Sequence, residues 1–199
     1  MPRVVDHAAR RLEIVHALWA VIHARGLDSV SFRAVAEAGG VSIGRIQHYF
    51  PSKAALIREG CAQMVAAAEG KYREQAATAP PGSRLWALLS GSIPGTDAER
   101  LGAAVWYAYL AKSVSDPALA EIVLDAVRTS RSEAIQLLRA VRDELAATPD
   151  AALEEDALAL LALGDGLTQR VLVGALDSAE AREVLARELT RQGVEGGSA

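Results

Sequence analysis

Val30-Ser31-Phe32-Arg33-Ala34-Val35-Ala36-Glu37-Ala38-Gly39-Gly40-Val41-Ser42-Ile43-Gly44-Arg45-Ile46-Gln47-His48-Tyr49-Phe50-Pro51-Ser52-Lys53 reads as two short helices joined by a glycine turn. Ser31 is a suitable N-cap for the first, whose apolar residues are Val35, Ala36 and Ala38. Gly39-Gly40 ends it where a positive φ costs a glycine nothing. Ser42 caps the second helix, which stops at Phe50 because Pro51 disfavours helical backbone in the residue before it. Val41, Ile43 and Ile46 supply the apolar side, leaving Arg45, Gln47, His48 and Tyr49 to face outward. The pattern is a helix-turn-helix with donor-rich side chains suited to a DNA major groove.

These residues also carry a resemblance. The segment resembles the DNA-binding region of the TetR family of bacterial one-component repressors, and Val41 to Lys53 is similar to its BetI-like branch. Many family members have an aromatic where this chain has Gln47, so contacts credited to that aromatic do not transfer to this position. The resemblance implies an all-α fold: a three-helix DNA-binding domain followed by a helical dimerisation and ligand-binding domain. It also implies a homodimer joined by a four-helix interface, here helices about 117–147 and 151–175, and release from the operator by a small-molecule effector.

Charge divides by position. Residues 1–58 hold eight Lys/Arg against four acids and all four histidines, while the rest is strongly acidic, within a total of −4. A basic head on an acidic body is the asymmetry expected when one end meets phosphate. An apolar fraction of 51% predicts a folded chain. No apolar run has the length of a membrane span and the N-terminus lacks a secretory pattern, so the expectation is a cytoplasmic protein with no membrane partner. The lone Cys61 excludes an internal disulfide and reads as a small core residue. His7, His16 and His23, spaced by nine and seven, do not share a metal-binding turn, and no metal or other cofactor is expected.

Helices are predicted over about 7–25, 53–75, 85–89, 97–114, 117–147, 151–175 and 179–191, with no strand. The first carries Ile14, Leu18, Val21 and Ile22 on one face; the long helix from Lys53 carries Ala54, Ile57, Cys61, Met64, Val65 and Ala68 inward. Function is expected to divide into residues 1–50, binding DNA, and 51–192, dimerising and sensing, followed by a disordered tail over 193–199.

On the second helix of the motif, Arg45 suits a guanine edge and Gln47 an adenine edge, with His48 a further base or phosphate reader. Tyr49 and Lys53 suit phosphate, a role the resemblance also implies. Ser31, Arg33 and Ser42 sit near helix N-termini, which attract phosphate, although capping alone accounts for the serines. For the effector, Met64, Trp86, Trp106 and Tyr109 suggest a pocket, with aromatic core packing as the alternative. Leu163-Gly164-Asp165-Gly166-Leu167-Thr168-Gln169 puts two glycines into a helical run, explained by a ligand or by close helix packing. Asp165 and Gln169, four apart, share a face, and an acid among aromatics favours a cationic or polar-headed ligand.

No catalytic motif is present: no HExxH, P-loop, dinucleotide fingerprint, CxxC, or nucleophile beside a base. The chain therefore reads as a ligand-responsive repressor of palindromic double-stranded DNA. The rival readings are a DNA-binding dimer without an effector pocket and a helical enzyme.

Overall fold

The computed structural model describes residues 3–142 and 149–194, and among them every regular element is helical. In order they are α1 (Arg3–Arg25), a 3-10 turn (Leu27–Ser29), α2 (Phe32–Gly39), α3 (Ile43–Tyr49), α4 (Lys53–Ala76), α5 (Pro81–Ser90), α6 (Asp97–Ser113), α7 (Pro117–Arg142), α8 (Asp150–Leu172) and α9 (Ser178–Arg191).

The chain packs as two compact units, the first comprising residues to 67 and 104–123, the second 68–103 and 124 onward. Helices α4, α6 and α7 each contribute a segment to both. This is a division of packing, distinct from the functional one expected near residue 50.

In the first unit α1 buries Ile14, Val15, Leu18, Val21 and Ile22, the stripe its 3.6-residue period predicts. Gly39 and Gly40 do different work. Gly40 takes φ +60°, and in the turn Val41 N–H donates to Ala36 O at 3.1 Å. Gly39 is still helical, and a Cβ there would come within 2.9 Å of Ala17 Cβ, so its smallness lets α2 close on α1.

On α4, Leu56, Ile57 and Cys61 are buried, whereas Ala54 and Ala68 are exposed, contrary to expectation. Gly60 sits where α4 crosses its neighbours: Trp19 Nε1 donates to its carbonyl at 3.1 Å, and a Cβ would lie 2.5 Å from both Leu18 Cδ2 and Tyr109 Oη. Burial pushes the Cys61 thiol up to about 11, consistent with its reading as core.

The second unit is built around Leu85, Leu89, Leu137, Leu138, Leu160, Leu167 and Leu185. Helix α5 starts at Pro81, earlier than the predicted 85, because proline is preorganised for the first helical position and lacks only an N–H that would go unused there. Ion pairs Arg131–Glu154, Arg139–Asp150 and Arg142–Asp156 join α7 to α8. Residues 143–147 of the predicted 117–147 helix lie outside the described residues.

Helix α8 ends at Leu172 rather than 175, since Gly174 at φ +75° turns the chain and Ala175 N–H bonds back to Arg170 O. Asp177 and Glu180 then form a capping box that starts α9. Of the glycines in the α8 run, Gly164 has a packing reason: a Cβ there would stand 3.2 Å from Leu89 O on α5. Next to it the buried Thr168 hydroxyl donates to Gly164 O at 2.9 Å and lies 3.1 Å from Ser92 Oγ.

The predicted tail begins too early, because Val194 is buried with the second core after Gly193 turns at φ +75°; residues 195–199 lie outside the described ones.

Candidate nucleic-acid interface

Each helix of the motif is started by a serine. Ser31 Oγ accepts from Ala34 N–H at 3.1 Å and Ser42 Oγ from Arg45 N–H at 3.2 Å, satisfying backbone donors that a helix start leaves free. Both serines are exposed at the surface, as is Arg33 on the first turn of α2.

Helix α3 has seven residues and buries only Ile46, at 0% exposure, with Phe50 buried just beyond. Those two anchors fix which side of α3 turns outward. Arg45, Gln47 and His48 are all exposed there, as predicted, and so are Ser42 and Gly44. Ile43 departs from expectation: it was assigned to the inward side and is 42% exposed.

Tyr49, expected to face outward with Arg45, Gln47 and His48, is instead half-buried, its ring edge-on to His7 (centroids 4.6 Å apart) and to His48 (5.1 Å). Lys53 opens α4 with its ammonium 3.4 Å from Asp28 O, a long contact on an exposed side chain that leaves its other donors usable.

Arg11 was not foreseen as part of this region. It donates to Tyr49 O at 3.1 Å, pairs with Glu59 at 2.9 Å and lies 4.7 Å over the Phe50 ring, so one guanidinium ties α1, the end of α3 and α4 together. An open groove of about 390 Å³ lined by Arg11, Tyr49, Phe50, Arg58, Glu59 and Ile122 adjoins it. Nothing in the local pattern marks Arg11 out from Arg10, which pairs instead with Glu13 three residues along α1.

The expected effector residues fall in both packing units. Tyr109 is sealed in the first core at 0% exposure, and burial drives its hydroxyl far above the ordinary phenol range; it lines no cavity that a solvent molecule can enter. Met64 and Trp106 are half-buried in the first unit. Trp86 is half-buried against the core of the second. Asp165 and Gln169 share a stripe of α8 with Leu158 and Val173 and keep part of their surface open, while burial raises the Asp165 carboxyl above its ordinary value. Among the described residues, no helix is long and apolar enough to cross a membrane.

Comparison with known proteins agrees with this architecture. Residues 14–59 match the family model for bacterial regulatory proteins of the tetR family. Residues 81–193 match that for the C-terminal part of BetI-type transcriptional repressors. The chain is 28% identical over 202 aligned residues to the HTH-type transcriptional regulator BetI of Vibrio campbellii, covering 96% of both chains. With BetI of Vibrio parahaemolyticus it shares 32% identity over 151 residues, covering 74% of this chain and 72% of the other.

A transcriptional regulator from Saccharomonospora viridis, solved in complex with choline, superposes with a TM-score of 0.83 at 24% identity, covering 92% of this chain and 96% of that one. One from Rhodococcus sp. Rha1 gives 0.81 at 26% identity, covering 94% and 98%. A capped helix-turn-helix that shows Arg45, Gln47 and His48 to solvent, followed by a BetI-type helical domain, thus makes this chain a member of the TetR family of transcriptional repressors.

Proposed function

We propose that the chain works as a homodimer that holds a palindromic double-stranded operator through two copies of α3 and is released by a small-molecule effector. The observation that carries this reading is the burial of Ile46 and Phe50, which commits Arg45, Gln47 and His48 to the open side. In it, Arg45 and Gln47 read base edges with His48 beside them, while Tyr49 and Lys53 hold phosphate. Ser31, Arg33 and Ser42 add contacts near helix starts. Residues to about 50 bind DNA in the bacterial cytoplasm, and those from 51 onward dimerise and sense.

Helices α7 and α8 are the proposed dimer contact. On α8, Ala151, Leu158, Ala162, Asp165, Gln169 and Val173 recur at helical spacing and are exposed, with Leu158 at 55% and Val173 at 78%; Leu124 and Val127 are exposed on α7. Asp165 and Gln169 belong to that face in this reading, which moves them out of the effector site. Leu158→Arg is expected to give monomers in sedimentation and weaken operator binding.

The effector proposed is a quaternary ammonium compound, by analogy with the choline-bound relative from Saccharomonospora viridis. Met64 and Trp106, both half-buried in the first unit, provide the thioether and aromatic surfaces that favour such a cation. The test is an anisotropy titration of labelled operator with and without choline. Equal choline affinity for free and DNA-bound protein would exclude effector control. A DNA-binding dimer without an effector is the second reading, favoured by the sealing of Tyr109, and it predicts that no heat of choline binding is seen.

A further inference from the structure

Nothing inside the protein requires a glycine at position 44 of α3. A Cβ there would meet no atom within 4 Å, its backbone is helical, and it is the second residue of a seven-residue helix, inside the turn that Ser42 caps. Even in a first turn glycine gives up more backbone freedom than alanine, though less is at stake than in a helix interior, and here no neighbour or positive φ requires it. Gly39 and Gly60, by contrast, each have an atom within 3.0 Å of where a Cβ would stand.

At 3.6 residues per turn, Gly44 and His48 point away from the buried Ile46 and Phe50, which puts Gly44 near the crest of the exposed side of α3. Exposed side chains surround it: Ile43 and Gln47, one turn apart, on one flank and Arg45 on the other. Ile43 is a large aliphatic group at 42% exposure beside three hydrogen-bonding side chains.

We propose that Gly44 is the point of closest approach between α3 and the major groove, and that this approach seats Ile43 on the C5-methyl of a thymine in each operator half-site. The inference rests on the DNA-binding reading above and deepens it. The chemistry is simple: the thymine methyl is the only apolar group on a major-groove base edge, and an aliphatic side chain is its complement. An isoleucine reaches it only if the helix comes close, and a residue without a side chain at the crest allows that. The operator is thereby assigned a specific thymine that no hydrogen bond of Arg45 or Gln47 would read.

The test uses the full-length protein and an operator selected by the protein from random DNA. Gly44→Ala is expected to raise the thermal midpoint slightly, by about 1–2 °C, and Gly70→Ala, at an open glycine in the interior of α4, by about 2–4 °C. It is expected to lower operator affinity about tenfold or more, whereas Gly70→Ala leaves affinity unchanged. Replacing thymines one at a time by uracil, which lacks only the methyl, should weaken wild-type binding about fivefold at one position per half-site. Ile43→Ala should bind the thymine and uracil operators equally. If Gly44→Ala binds as tightly as the wild type, or if Ile43→Ala keeps full sensitivity to uracil, the contact is overturned while the DNA-binding reading stands. Wild-type protein without any sequence preference would overturn both.

Discussion

Arg11 and Tyr49 are joined by a hydrogen bond from the guanidinium to the backbone carbonyl that ends the recognition helix, at 3.1 Å. The same guanidinium pairs with Glu59 on α4, so the end of α3 is held by α1 and α4 at once. A carbonyl at a helix C-terminus has no partner within the helix, and a cation is well placed to supply one. Arg11→Ala should therefore cost about 1–2 kcal/mol of stability. Because it positions α3 without touching bases, affinity for all DNA sequences should fall together. Urea unfolding and anisotropy on specific and scrambled DNA measure the two effects, and a change in sequence preference would count against a positioning role.

Arg45 and Lys53 should fail in different ways. Arg45→Ala is expected to relax preference at one base pair, with a loss of about 1–3 kcal/mol on the preferred operator and little on nonspecific DNA. Lys53→Ala should weaken binding to every sequence and lower the salt slope by about one. Titrations at several salt concentrations separate the two, and identical behaviour of both variants would show that α3 is not read as described here.

At Gly60 the competition is between helix propensity and packing. Alanine would gain about 1 kcal/mol as a helix former. Its Cβ would, however, stand 2.5 Å from Leu18 Cδ2 and Tyr109 Oη, both in a filled core. Overpacking of this kind costs about 1–3 kcal/mol, so Gly60→Ala should be net destabilising in denaturant titration. Gly70→Ala, on the same helix with open space around it, should move the other way.

Glu99 carries a stated dependence on pH. Its hydrogen bond from Lys71 Nζ at 2.7 Å, and that from Gly95 N–H at 2.9 Å, pull its carboxyl down from 4.5 to about 2. A group whose folded pKa is depressed contributes stability above its unfolded pKa and loses it as pH falls through the folded one. The contribution should thus be full above about pH 5 and disappear between there and about pH 2. Lys71→Met should flatten the pH dependence of the midpoint over that range. A profile unchanged from wild type would remove the Lys71–Glu99 pair as its source.

Cys61 makes a kinetic prediction. With its thiol buried and pushed up to about 11, it should resist a thiol-specific reagent at pH 8 in the native protein and react at once in denaturant. Rapid native labelling would mean that α4 opens away from α1.

The motif was legible because its signals are local. Ser31, Gly40 and Ser42 act within three residues of their own positions, so caps and turn follow from the order of the chain. The Asp177–Glu180 box and the stripe of α1 are local in the same sense. Where sequence reading misjudged, the deciding contact was distant. Ile43 is apolar yet 42% exposed, and Tyr109, 49 residues beyond Gly60, packs directly against it.

By itself, then, the sequence determined the all-helical character, the helix-turn-helix, the outward set Arg45, Gln47 and His48, and the family. All of these depend on periodicity and on hydrogen bonds closed within a turn or two. Only the tertiary structure decided that Arg11 rather than Arg10 clamps the recognition helix, that Gly39, Gly60 and Gly164 are small for packing while Gly44 is not, and that Tyr109 is core. Those outcomes turn on which atoms meet across tens of residues at distances near 3 Å, and a one-dimensional pattern records helix faces but not what each face meets.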